Sequence, residues 1–462
     1  MKKIVLVLIA LVAIGGAVVL LSDDARRGVE LRAAEAIGDA AAMAVQAQGA
    51  GERSADLIKV PIEVVELADG VFQARGVGNT HLITTSEGHV VYDTGLATQA
   101  AKQRRLLGEA ALAGPITHVI LSHSHQDHAG GTSFWVEDGT EIVAHEEYVE
   151  EQRYLKELED YLWQRNRTLF DWMPENPPKS GFLAYGHVVP TLLVDEPDSL
   201  VFEQGGVRFE VLPTPGAEGA DNICLWLPQQ KILFSGDFFG PLFPQFPNIF
   251  TMRGEKVRKP IEYIESLDRI IALEPEMIVP SHSEPIRGKE GIRAALVRMR
   301  DAVRYVHDAV IAGMNGGKTV HELMAEIQLP PELDLTQAHG RVSWGVKSIW
   351  EYYATWFHFD STTELYPVPR TAVFAELAGL AGNDALVEHA RGHVDAGRPV
   401  HAIHLLEIAL GGDPRDRGAL MTKRAALEQL LEEARPLNNA YEMDWLRYRI
   451  RQADEALGED PS

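Results

Sequence analysis

Hydrophobic residues fall into three successive patterns along the chain. The first is an unbroken apolar run, "IVLVLIALVAIGGAVVLLS", between "MKK" and Asp23. As a helix its roughly 18 residues would rise about 27 Å, close to the hydrocarbon thickness of a bilayer. From residue 58 the pattern becomes short β-branched runs punctuated by Gly, Pro and Asp: "IEVVELADGVFQARG", "THLITTSEGHVVYDTG", "ITHVILSH", "EIVAHE", "VRFEVLPTPG", "ICLWLP" and "KILFSGD". Such runs predict strands and turns. Helical spacing intervenes in "ATQAAKQRRLLGEAAL" and in "PIEYIESLDRIIALEP" before "MIVPSHS". Strands and helices in this order predict an α/β layered sandwich. After about residue 290 strand character stops. Helices of about 14 residues, each ending at a Gly- or Pro-containing turn, then alternate small and large apolar positions as in paired-helix (TPR-like) repeats.

These changes of pattern divide the chain into an N-terminal apolar segment (1–22), an Ala-rich helical or flexible spacer (23–57), a layered α/β domain (58–295), a helical connector (296–369) and an all-α domain (370–458). Residues 143–180, charged and aromatic, read as an insertion over the sheet face, a candidate lid. The apolar start is either an uncleaved anchor or a cleaved signal. "VLLSDDA" has no small-x-small cleavage site, which favours the anchor. The lysines on its short side place the body outside the cytoplasm, a periplasmic expectation, with the membrane as a partner.

Composition adds two exclusions. A formal charge of -24 argues against a nucleic-acid partner, since phosphate binding rests on clustered Lys and Arg. The single cysteine, Cys224, excludes an internal disulfide, and its place in the apolar run "NICLWLP" marks it as core filling.

The chemistry concentrates in "THVILSHSHQDHAGG", where His123, His125, Asp127 and His128 leave a buried-type strand. His123 and His125 can face one cation while Asp127 and His128 turn to a second; Gly130 and Gly131 permit the tight path into the next helix. Three further strand ends carry ligand-type residues: Glu218 after "VRFEVLPTPGA", Asp237 after "KILFSG" and His282 after "EMIVPS". A carboxylate at Asp237 can bridge two cations, which neutral imidazole cannot. Imidazole and carboxylate suit several first-row metals.

With "HSHQDHAGG", the "TPG" turn, "LFSGD" and "PSHSEP" in this order, the chain resembles the metallo-β-lactamase superfamily over roughly residues 60–290. That resemblance implies a four-layer αββα sandwich with two Zn²⁺ per chain. Most members carry His after "PG", where this chain has Ala217 and then Glu218. The branch with Glu there is the alkylsulfatase group, zinc enzymes that hydrolyse long-chain alkyl sulfates. "NIFTMRGEKVR" (248–258) is similar to its stretch leading to a sulfate-receiving Arg. "AHGRVSWGVKSIWEYYATWFHFDSTTELYPVP" (338–369) resembles its domain-joining segment, and 371–455 its dimerisation domain. Two departures are Asp237, where typical members carry Glu, and a further lipid-carrier-like domain of typical members, which this sequence does not include.

By motif matching, His123, His125 and Glu218 hold the first zinc and Asp127, His128 and His282 the second, with Asp237 between them. Asp127 and Asp237 also count as catalytic. Two adjacent zinc ions hold a hydroxide at neutral pH. Anionic Glu218 lowers the net charge on its metal and hence its Lewis acidity. Arg253 is the expected cation for the leaving anion, with Arg258 behind it, because guanidinium pairs with a tetrahedral oxyanion. Asn248 offers an amide donor or a turn cap. The resemblance thus implies hydrolysis of an amphiphilic sulfate ester to alcohol and sulfate by a homodimer. The same site is compatible with a carbonyl substrate (thioester, lactone or β-lactam), and the helical region with a non-catalytic, membrane-tethered docking protein.

Overall fold

The computed structural model describes residues 23–47 and 61–458, except 112, 171, 172, 178, 180–187, 217, 250 and 257. The expected anchor, 1–22, lies outside the described residues. Among the described residues no helix is long and apolar enough to cross a membrane. Two compact units emerge. The first comprises Met1–Trp163, Asp171–Pro241 and Glu262–Val297, the second Gln164–Phe170, Leu242–Ile261 and Arg298–Ser462.

The first unit holds two mixed sheets. One runs β1 (Val64–Ala68), β2 (Val71–Ala74), β3 (Thr80–Thr85), β4 (Gly88–Tyr92), β5 (Ile116–Ile120), β6 (Glu141–His145) and β7 (Leu192–Val194) in spatial order. It is antiparallel as far as β4 and parallel from β4 to β7. The other contains β8 (Leu200–Gln204), β9 (Val207–Pro213), β10 (Ile223–Leu227), β11 (Ile232–Gly236), β12 (Met277–Pro280) and β13 (Ile286–Arg287), with β11 parallel to β12. Strands buried on both faces lose the polar alternation of a half-exposed sheet. On β4, Val90 and Tyr92 enter a core shared with Phe209, Val211, Leu225 and Phe234 of the facing sheet. Val91 points the other way, into a cluster with Leu107 of the helix α2 (Ala97–Ala110). The result is the four-layer αββα sandwich.

The Ala-rich stretch after residue 22 is helical over Asp23–Ala47 (α1), which packs on α2. Arg105 of α2 pairs with Glu35, and Arg27 reaches Glu137. The remainder of that expected spacer, 48–57, lies outside the described residues. The 143–180 stretch begins inside β6 and continues as helices α4 (Tyr148–Glu157) and α5 (Glu159–Asn166), α3 being the single turn Gln126–Ala129. Tyr148 is fully buried in the α2-side core, so α4 starts as part of the packed body.

In the second unit, helices Phe374–Ala381, Asn383–Asp395, Pro399–Gly412 and Arg417–Ala434 share a core of small and large residues, including Ala390, Ala402, Leu406, Ala409 and Ala419. The 242–261 segment joins this unit by the Gln245–Thr336 bridge and the Phe246 N–H to Thr336 carbonyl bond (2.9 Å). The "PVPR" stretch, read as a joint, leads into a 3-10 turn, Arg370–Val373, within the unit.

Candidate metal centre

Five strands of the first unit end at one edge with a polar residue. After β5, Ser122 and His123 lead into α3, which starts at Gln126 and carries Asp127 and His128. Glu218 follows β9, Asp237 follows β11, His282 follows β12 and Asp93 follows β4. Gly236, just before Asp237, has φ +55°, and a Cβ there would lie 2.4 Å from that of Ser122. Only glycine lets β11 end so close to the histidine loop. Gly130 and Gly131 act likewise by closeness rather than by unusual backbone: their φ angles are -63° and -89°, while an added Cβ would meet the Gln126 and Thr94 carbonyls at 2.3 and 2.2 Å.

The structure brings the seven sequence-derived ligand residues together. Three groups with mutually close donor atoms arise: His123, His125 and Glu218; Asp127, His128 and His282; and His123, His128 and Asp237. His123 Nε2 lies 2.7 Å from His125 Nδ1, which is 3.5 Å from Glu218 Oε1. His282 Nε2 lies 3.0 Å from Asp237 Oδ2 and 3.3 Å from Asp127 Oδ2, while His128 Nε2 is 3.4 Å from Asp237 Oδ2. Asp237 thus faces both triads.

Asp93 organises this cluster and was not singled out from the sequence. It is fully buried, with φ +56°. It accepts from the Ser122 N–H (2.8 Å), the Ser122 hydroxyl (2.9 Å), the Ser281 hydroxyl (2.5 Å) and His128 Nδ1 (2.9 Å). Because Ser122 Oγ gives its proton to Asp93, His123 Nδ1, 2.9 Å from that oxygen, is the donor to it. One carboxylate therefore orders two histidine rings, each donating from Nδ1 and turning Nε2 to the cluster. The criterion that selected Glu218, Asp237 and His282, a polar residue ending an apolar strand, also selects Asp93 in "HVVYDTG". Asn79 is buried too. Its N–H donates to the Ser281 carbonyl (2.8 Å) and its Nδ2 to that of Ser283 (3.3 Å), bracing the loop that carries His282.

Charge in the metal-free cluster is strongly redistributed. Burial pushes His123 well below the ordinary histidine range, and His128 and His125 add to this. Burial opposes protonation of His282, but Asp237 and Asp127 outweigh it and raise this histidine to about 10. His128 rises for the same reason, with Asp93 contributing. Burial would raise Asp127 and Asp237, yet the neighbouring His128 and His282 hold both well below the usual carboxylate range. His128 Nε2 and Asp237 Oδ1 are buried with no hydrogen-bond partner. Unsatisfied donor atoms aimed into a mixed imidazole and carboxylate set fit divalent first-row cations.

Arg253, Arg258 and Asn248 belong to the second unit. Arg258 is buried, donates to the Asn248 carbonyl (2.7 Å) and pairs with Glu255 (3.2 Å). Arg253 also pairs with Glu255 (3.1 Å). His118 and His145 lie on β5 and β6. His118 stacks on Phe202 with ring centroids 4.3 Å apart. Cys224 is buried on β10, where burial pushes its thiol up to about 12.

This sandwich, with a histidine- and carboxylate-lined edge, matches the family model described as the metallo-beta-lactamase superfamily over residues 74–282, and residues 319–447 match the model described as alkyl sulfatase dimerisation. Similar curated proteins include a linear primary-alkylsulfatase of Pseudomonas sp. (strain ATCC 19151), 28% identical over 65% of this chain and 60% of that protein. Another is the alkyl/aryl-sulfatase BDS1 of Saccharomyces cerevisiae, 24% identical over 81% of this chain and 62% of that one. The chain thus spans about three fifths of the length of these relatives. Among solved structures, the inverting sec-alkylsulfatase Pisa1 from Pseudomonas sp. superposes with a TM-score of 0.72 over 87% of this chain and 67% of that one, at 22% identity; it shares the fold.

Proposed function

We propose that the chain is a zinc-dependent hydrolase of alkyl sulfate esters, releasing alcohol and sulfate. The observation that carries this reading is the edge cluster of His123, His125, Asp127, His128, Glu218, Asp237 and His282 in a chain similar to alkylsulfatases. His123, His125 and Glu218 would hold one zinc ion and Asp127, His128 and His282 a second, with Asp237 reaching both. When bound, the cations lower the pKa of coordinated water towards neutrality and so supply a nucleophile at physiological pH. Asp93 keeps His123 and His128 as Nδ1–H tautomers throughout. Asp237 Oδ1, buried and without a partner, is placed to take the proton that attacking water gives up. Arg253 is assigned to the anionic end of the ester, with Arg258 and Asn248 holding its loop, on the match between guanidinium and a tetrahedral oxyanion.

The match to a dimerisation domain supports a homodimer. An extracytoplasmic, membrane-anchored location rests on the sequence of residues 1–22 alone and is proposed on that ground.

Sulfate release from dodecyl sulfate by zinc-loaded protein lacking residues 1–22 tests the activity. Turnover is expected to fall at least about 100-fold in Asp237→Ala. No release by protein shown to hold two zinc ions per chain would discard the sulfate ester, and a lactone and thioester panel would follow.

A further inference from the structure

Asp127 and His282 come from turns far apart in the chain, yet Asp127 Oδ2 and His282 Nε2 lie 3.3 Å from each other. The loop joining β2 to β3, residues 75–79, touches both turns. An added Cβ on Gly78 would lie 1.9 Å from the Asp127 carbonyl oxygen, so only glycine lets this loop rest on the Asp127 backbone. The next residue, Asn79, spans His282: its N–H donates to the Ser281 carbonyl (2.8 Å) and its Nδ2 to the Ser283 carbonyl (3.3 Å). The geometry points to Gly78 and Asn79 as positioning residues that set the gap between Asp127 and His282, and with it the affinity of the second metal position, an inference that rests on the dinuclear reading above.

The loop is anchored well enough to act as a template. From α2, Gln103 Nε2 donates to the carbonyls of Gly78 (2.9 Å) and Arg75 (3.2 Å), and Gln99 Oε1 accepts from the Val77 N–H (2.7 Å). The Gly76 N–H donates to Asn79 Oδ1 at 3.2 Å, which turns the Asn79 amide so that Nδ2 faces Ser283. Gln103 and Asn79 are buried, so water does not compete for these bonds. The His282 turn, by contrast, is held from outside. Ser283 has φ +63°, a left-handed backbone that a residue with a Cβ keeps only where its surroundings enforce it. Asn79 grips the carbonyls on either side of His282, and Glu284 pairs with Arg75 of the same loop. Without the Asn79 amide the turn can relax and swing His282 away from Asp127. The third ligand of that triad, His128, is tied separately through Asp93. Both contacts of the loop fall on ligands of the second triad, so the loss is expected there and not at His123, His125 and Glu218.

The test is cobalt(II) titration of the metal-free full chain, read by d–d absorption and competition with a chelator. In Asn79→Ala one of the two equivalents should weaken by about 10–100-fold while the other stays within about threefold, and Gly78→Ala should give the same split. An Asp127→Ala background identifies the position. With that ligand gone, adding Asn79→Ala should change the remaining equivalent by less than about threefold. Unchanged binding of both equivalents in either single variant, equal loss of both, or a further loss in the Asp127→Ala background overturns the inference. Wild-type protein that binds no cobalt removes the metal centre itself, a distinct failure. Should Asn79→Ala lose the wild-type circular dichroism, Asn79→Ser, whose hydroxyl can still accept from the Gly76 N–H, is read by the same criteria.

Discussion

His81 carries a cost that only the folded chain reveals. It is fully buried on β3 between Tyr92 and Phe234, with ring centroids 6.1 and 5.3 Å away. Its Nδ1 donates to the Tyr92 carbonyl at 3.3 Å, so the unprotonated nitrogen is Nε2, which has no partner. Burial pushes its pKa down to about 4, against the pull of Asp93. A depressed base contributes stability above its unfolded pKa, near 6.5, and loses that contribution as pH falls through about 4. Between these values wild type should lose on the order of 3 kcal/mol more than His81→Leu, read from urea melts of both metal-free proteins at pH 7 and pH 4. Parallel pH slopes would show that His81 does not drive acid unfolding. The same scale separates what the sequence discloses from what it hides. The candidate ligand residues are legible because they cluster in chain order or end apolar strands. Asp93 ends one as well, but its weight comes from four donors that converge only in three dimensions, from residues 122, 128 and 281.

At the scale of elements, the docking of α1 on α2 turns on one residue. Gly38 is buried in the middle of α1, and a Cβ there would fall 1.9 Å from the Thr98 carbonyl oxygen. The Arg105–Glu35 pair beside it is part-exposed and contributes no more than about 1 kcal/mol. Gly38→Ala should therefore cost about 1–3 kcal/mol despite better helix propensity, and should speed protease cleavage within 23–47, whereas Glu35→Ala should do neither. Equal cleavage rates for the two variants would show that α1 does not rely on this close approach. Most strands are legible because β-branched runs between turn residues allow one reading. Strands β7 and β8 escape it: β7 is three residues long, "DEP" interrupts the run after it, and β8 alternates half-buried with exposed positions. The helical state of 23–47 was one of two readings because the docking glycine looks, in sequence, like any flexible residue.

For the whole molecule, light scattering of the full chain should give twice the chain mass of 51.0 kDa. A mass of one chain would retire the homodimer. Sequence reading divides a chain at points, and here that assumption fails. The 164–170 and 242–261 segments lie inside the hydrolase-like stretch of sequence yet pack with the C-terminal helices. Thr336 and Tyr441 are among their distant partners: the Phe246 N–H meets the Thr336 carbonyl, and the Phe170 and Tyr441 rings lie 5.9 Å apart. During synthesis, Leu242–Ile261 leaves the ribosome well before the residues it pairs with, so the loop bearing Arg253 waits for the stretch from Thr336 to Ser348 to find its neighbours. A premature stop after the sandwich would therefore strand part of the second unit on the first. Recombination could not exchange the two halves at any single breakpoint without cutting one of them.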